Sequence, residues 1–166
     1  EVLRALADKL PDVLPQALEA AQAIQDEYSR AEALRALADK LPDVLPKALE
    51  AVQAIQDEYY RAEALRALAD KLPDVLLPQA LEAAQAIQSE SSRAQVLSAL
   101  AFGLSQMPPS QLFPVWQHTL HQLSLRTRPN LLREIKALFP VIFALGGEAA
   151  TAEIARAIVD VGRWWK

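Results

Sequence analysis

The residues able to do chemistry are few, and most of them come in copies. His118 and His121 stand three apart in a stretch that reads as helix, so one face could offer both imidazoles to a metal. A metal generally takes three or four ligands, and no third histidine, cysteine or clustered carboxylate lies near them in sequence. There is no cysteine at all, which removes thiolate ligands, disulfides and cysteine nucleophiles and fits a reducing cytoplasm. No nucleophile elbow, P-loop or HExxH helix is present, and four glycines leave little for a phosphate-cradling loop. Acidic pairs such as Asp57-Glu58 recur along the chain, as copying predicts, whereas catalytic groups rarely come in triplicate. The residues predict no enzyme, no cofactor and no metal site.

The side chains that could bind something are set by a repeat, which must be found before anything else is read. Residues 1–31 and 32–62 differ at only four of 31 positions. Residues 63–94 give the pattern again with one extra leucine, Leu77. A degraded fourth copy starts near Ser92 and a fifth near Arg128. With 31 alanines and 27 leucines in 166 residues, the composition leans strongly to helix.

Each copy reads as two helices. In the second copy Ala33, Leu34, Leu37 and Leu41 form an apolar stripe, with Arg35 and Asp39 paired on the other side. Leu41-Pro42 stops that helix. A second follows, with Pro46 in its first turn, Leu45, Ala48, Leu49, Val52 and Ile55 inward, and Lys47, Glu50, Gln53 and Asp57 outward. The next first helix starts either at a capping box (Ser29-x-x-Glu32, Ser92-x-x-Gln95) or, where Tyr60 replaces the serine, at Asp57.

A 31-residue hairpin cannot bury its stripes alone, so the copies are expected to stack as an α-solenoid of about five hairpins. Tandem copies would fill residues 1–105, and residues 106–166 would form a divergent repeat and C-terminal cap. In that cap, helices are expected at Ser110–Leu125, at Pro129–Leu145 with a kink at Pro140, and from Glu148 to Gly162 or beyond. Gly146-Gly147 should end the middle one, and Trp164 and Trp165 should seal the apolar face. The extra Leu77 should fall in a turn, since one residue added mid-helix rotates every later side chain by about 100°.

Stacking would align Glu19, Glu50 and Glu82, then Gln22, Gln53 and Gln85, then Asp26, Asp57 and Ser89, as an acidic, amide-bearing ladder for an extended, basic partner. The alternative is a solvated face with no ligand. Arg30, Arg61 and Arg93 recur at each junction and are expected to brace neighbouring copies through carboxylates. Tyr28, Tyr59 and Tyr60 sit near the inter-copy turns, either as contact residues or packed on the next copy. A further candidate surface is the uncharged helix with Phe113, Trp116, His118 and His121, which suits either an interface core or a buried cap. Leu3, Leu6 and Leu10 in an uncapped first helix predict fraying or self-association.

Charge and hydropathy narrow the partners. Residues 1–93 carry 10 Lys+Arg against 17 Asp+Glu, and residues 94–166 carry 7 against 4. An acidic front repels phosphate, so nucleic acid is not expected. The charge-free run from Ala94 to Leu125 is broken by prolines and histidines, so no membrane span is expected either.

The phrases RAEALRALADKLP, LPQALEAAQAIQDEYSRA and LGGEAATAEIARAIVDVGRWW resemble the helical-hairpin repeats, and their closing segment, of bacterial and especially cyanobacterial multidomain proteins. Several of these are STAND-type signalling proteins with an upstream NTPase domain. The resemblance spans nearly the whole chain and implies an interaction or sensing module with no catalytic residue to transfer. The unit is also similar to tetratricopeptide and HEAT-like hairpins. It departs from the tetratricopeptide length and W-x₂-L-G-x₂-Y pattern, so that family's peptide-binding positions do not carry over. The expected function is a non-enzymatic module for a protein or peptide partner. The alternative is a structural spacer or engineered scaffold without a specific ligand.

Overall fold

Alanine and leucine at helical spacing, punctuated by proline and short polar runs, leave the chain little choice but helix. The computed structural model describes residues 14–38 and 45–164. Its helices are α1 (Leu14–Gln22), α2 (Glu27–Ala38), α3 (Leu45–Gln53), α4 (Glu58–Ala69), α5 (Leu77–Gln85), α6 (Glu90–Gln106), α7 (Pro109–Ser124), α8 (Arg128–Ala137) and α9 (Phe139–Trp164). The described residues form no strand, so the fold is all-α. The chain divides into two compact units between Leu100 and Ala101, inside α6.

In the first unit, α1, α3 and α5 each open on Leu-Pro. Proline fits there because the first turn has no helical partner for its missing N–H. Leu45, Ala48, Leu49 and Val52 of α3 are buried, as are Leu77, Ala80, Leu81 and Ala84 of α5. These helices stop at Gln22, Gln53 and Gln85, short of the expected stripe. Ile55 is fully buried as read, but from the turn that follows, where its N–H donates to the Val52 carbonyl at 3.1 Å. For the same reason Asp26 and Asp57 do not stand on the polar face of the second helices.

Those aspartates start the longer helices instead. The Asp57 backbone is extended (φ −68°, ψ 119°), and its carboxylate accepts from the N–H groups of Tyr59 and Tyr60 at 2.8 and 3.2 Å. Asp26 accepts from Ser29 N–H at 2.8 Å, and the Ser89 hydroxyl from Ser92 N–H at 3.4 Å. Each thus satisfies an orphan donor of the first turn. Ser29 and Ser92, the serines of the capping boxes, already lie inside α2 and α6. Leu34, Leu37, Leu65 and Leu68 are buried as their spacing requires. The Arg35–Asp39 pair and Leu41 fall outside the described residues. At the matching place in α4, Arg66 pairs with Glu63, three residues before it.

Each helix from α1 to α4 packs on the next, and α2 also packs on α4. The one-residue insertion is absorbed between α4 and α5. There Leu76 and Leu77 donate to the Pro73 and Asp74 carbonyls at 2.9 and 3.3 Å, both leucines are buried, and Val75 takes the solvent side.

In the second unit α7, α8 and α9 pack on one another. One continuous helix over Pro129–Leu145 was expected, and two are found. The chain bends by 80° between α8 and α9, with Leu138 (φ −92°, ψ 12°) outside helical geometry. Pro140 therefore lies in the first turn of α9, where it is tolerated, rather than kinking a helix interior. Gly147 breaks α9 at φ 58°, ψ −150°, a conformation open essentially to glycine alone. A Cβ on Gly146 would run into the Ala150 side chain, so the break needs both glycines. The side chains of Trp164 and Trp165, and the leucines Leu3, Leu6 and Leu10, lie outside the described residues.

Candidate functional site

The charged residues of the first unit are divided between a structural seam and open surface. At the seam, Arg30 donates through Nη1 to the Ile24 carbonyl at 3.1 Å and through Nη2 to Glu27 Oε1 at 3.3 Å. Glu27 in turn accepts from the backbone N–H groups of Gln56 and Asp57 at 2.9 and 2.6 Å. The next seam repeats the arrangement. Arg61 binds the Ile55 carbonyl at 2.8 Å and Glu58 at 3.4 Å, and Glu58 accepts from Gln88 and Ser89 N–H at 2.9 and 3.2 Å. Arg93 is buried and donates to the carbonyls of Ile87 and Gln88 at 2.5 and 3.2 Å. These arginines are held in the seam by backbone carbonyls first. The carboxylate link to the following copy is made by Glu27 and Glu58, which the sequence reading did not single out.

The two seam arrangements also tune acidity. The Gln88 N–H, followed by Ser89 and the Arg61 and Arg93 guanidinium groups, holds the Glu58 carboxyl below its ordinary range against the opposing effect of partial burial. The Ser29 side chain and N–H, with Arg30, lower Asp26 in the same way.

Of the ladder residues, Glu19, Gln22, Glu50, Gln53 and Glu82 are exposed and Gln85 is half-buried. A cavity of about 250 Å³ lies where α1, α2 and α3 meet, lined by Gln22, Arg30, Glu50, Ala51 and Ala54. It gathers an amide from one copy, a carboxylate from the next and the guanidinium between them. Gln22 thus shares a cavity with Glu50. Asp26 and Asp57 are exposed but belong to the helix starts, beside the tyrosines.

A larger groove, about 430 Å³, lies on the other helices. It runs over Ala31, Ala64, Ala67 and Ala99 and is edged by Glu32, Glu63, Arg66 and Asp70. Sequence reasoning missed it. The available signal was the small residues of the first helices recurring beside acids.

On α7, Leu112, Thr119 and Leu123 are buried, while Phe113 (57% exposed), Leu120, His118 and His121 face solvent and Trp116 is half-buried. Of the two alternatives for this helix, the buried cap does not describe Phe113. No group of three or more histidine, aspartate or glutamate side chains gathers as it would around a metal among the described residues. No single described helix is long and apolar enough to cross a membrane, although the bent pair α8 and α9 passes that test together. Comparison with protein-family models, with curated proteins and with solved structures finds no match to this chain.

Proposed function

We propose that the chain is a non-enzymatic interaction module, an α-solenoid of stacked two-helix hairpins with a divergent C-terminal cap. In this reading its second helices receive an extended segment of a partner protein. The observation that carries it is the cavity joining Gln22, Arg30 and Glu50 at the meeting of α1, α2 and α3. Stacking is supported by the packing of α2 on α4 and by two seams built from the same Glu–Arg arrangement. An exposed acid and amide at one spacing on α1 and α3 offer an acceptor and a donor per copy, which suits an extended backbone with basic side chains. We place the module at the sensor or scaffold end of a larger, STAND-type cytoplasmic signalling protein, following the sequence resemblance.

The test uses the whole chain and a displayed library of ten-residue segments. Segments selected on the native protein should bind Glu50→Lys/Gln53→Lys about tenfold or more weakly, which corresponds to about 1.4 kcal/mol, with unchanged far-ultraviolet circular dichroism. Undiminished binding would remove the ladder from the function. Failure to select any segment would favour the second reading, a structural spacer, which draws support from the seam arginines being engaged internally.

A further inference from the structure

The first seam carries a cluster of tyrosine rings that the next seam does without. Tyr28 and Tyr60 meet edge to face at 5.5 Å, and Tyr59 and Tyr60 do the same at 5.4 Å. Tyr28 is 56% exposed and Tyr59 63% exposed, so much of this aromatic surface faces solvent. The next seam provides an internal control. There Tyr59 takes the place that Tyr28 has at the first seam, but the following copy offers Ser91 and Ser92 in place of Tyr59 and Tyr60, and its cap is Ser89 in place of aspartate. Yet Gln88 and Ser89 still donate to Glu58, and Arg93 still binds the Ile87 carbonyl. The seam therefore closes without a ring-to-ring contact between copies and without a capping carboxylate on its following copy. Rings and carboxylates are present together in the first two copies and are lost together in the third.

The exposed charges beside the rings are acidic. Asp57 sits at the foot of Tyr59 and Tyr60, accepting their N–H groups, and Asp26 occupies the matching place below Tyr28. Both aspartates are exposed. The neighbouring cations, Arg30 and Arg61, turn inward to the Ile24 and Ile55 carbonyls. Glu27, beside Tyr28, accepts the Gln56 and Asp57 N–H groups and so fixes one tyrosine-bearing turn against the other. Rings held this way need little further ordering on contact with a ligand.

We infer that Tyr28, Tyr59 and Tyr60, with Asp26 and Asp57, form a seat for an arginine or lysine side chain on a flexible segment of a partner protein. The ring faces attract the cation through their quadrupoles, and the two carboxylates supply the counter-charge. Residues 1–93, with 17 acidic against 10 basic side chains, draw such a segment in. The seat does not depend on the second-helix ladder and stands or falls separately from it.

The experiment titrates the full chain with a Gly-Ser peptide carrying three arginines, and with the same peptide carrying citrulline in their place. Calorimetry gives affinity and the tyrosine ring resonances report the site. The arginine peptide should bind and shift the rings of Tyr28, Tyr59 and Tyr60, with the citrulline peptide weaker by about fivefold or more. Tyr28→Ser/Tyr59→Ser/Tyr60→Ser, which carries the serines of the third copy into the first two and leaves net charge unchanged, should weaken arginine binding by a similar factor at the native melting temperature. Asp57→Asn, which keeps a good helix cap, should also weaken it. Equal affinity for the two peptides would overturn the inference, as would an unmoved ring spectrum or undiminished binding by the serine variant. A serine variant that melts well below the native protein would assign the tyrosines to the seam and overturn it too.

Discussion

A single buried arginine carries more of this structure than any exposed ion pair. Arg93 reaches back along its own helix start to two backbone carbonyls while its aliphatic stem packs in the interior. Arg93→Ala leaves those carbonyls without a charged donor and opens a void. It should lower stability by about 2–3 kcal/mol in urea unfolding, against well under 1 kcal/mol for removing the surface pair partner Arg156. Acid should attack the same seams. The folded-state pKa of Glu58 and of Asp26 lies below its ordinary value, so the stability each provides is present at neutral pH and disappears as pH falls through the folded value. The melting temperature should therefore hold from pH 7 to about 5 and decline below about 4.5, the ordinary glutamate value. Glu58→Gln should start lower and fall less steeply over that range. That arginine recurs at every junction was legible in the sequence. Its partner was not, because a long side chain can reach carbonyl, carboxylate or solvent with equal ease.

At the scale of elements, the outcome turned on where helices begin and end. Apolar periodicity located every described helix of the first unit, since Leu34, Leu37, Leu49, Leu65 and Leu68 all proved buried. It overran the second helices, because Ile55 keeps the period while the backbone has already left the helix to let Asp57 cap the next one. It also joined α8 to α9 as one helix kinked at Pro140, whereas the chain leaves helical geometry at Leu138 and Pro140 lies in the first turn of a new helix. Two changes test these boundaries. Deleting one leucine of Leu76-Leu77 restores the spacing of the other copies inside a loop, and the urea midpoint should move little. Inserting one alanine after Leu81 turns the rest of α5 by about 100° and should remove several kcal/mol, as two or more core side chains leave their sites. Gly147→Ala forces a side chain into φ 58° and should cost about 1–3 kcal/mol, read as a lower melting temperature.

Across the whole molecule, charge and copy number decide what can be bound. The acidic excess lies in residues 1–93, where exposed aspartates and glutamates outnumber the cations, and the seams take Arg30, Arg61 and Arg93 inward. A basic segment captured by this protein should therefore lose affinity as salt rises, with a tenfold or greater weakening between low and physiological salt at fixed pH. Salt-insensitive binding would point instead to the apolar residues exposed on α7, Phe113 and Leu120.

By itself the sequence determined the helical class, the 31-residue period, the buried leucine stripes and the tolerance of an added leucine in a loop. All of these follow from local periodicity and from the geometry of proline, which act over one or two turns. Between the two helix starts that the sequence left open, the structure takes Asp57 and its counterpart Asp26. Only the tertiary structure decided that Glu27 and Glu58 join successive copies and that the tyrosines of two copies meet in one cluster. Those contacts join residues about 30 positions apart, a distance over which spacing along the chain carries no information about which side chain meets which backbone group.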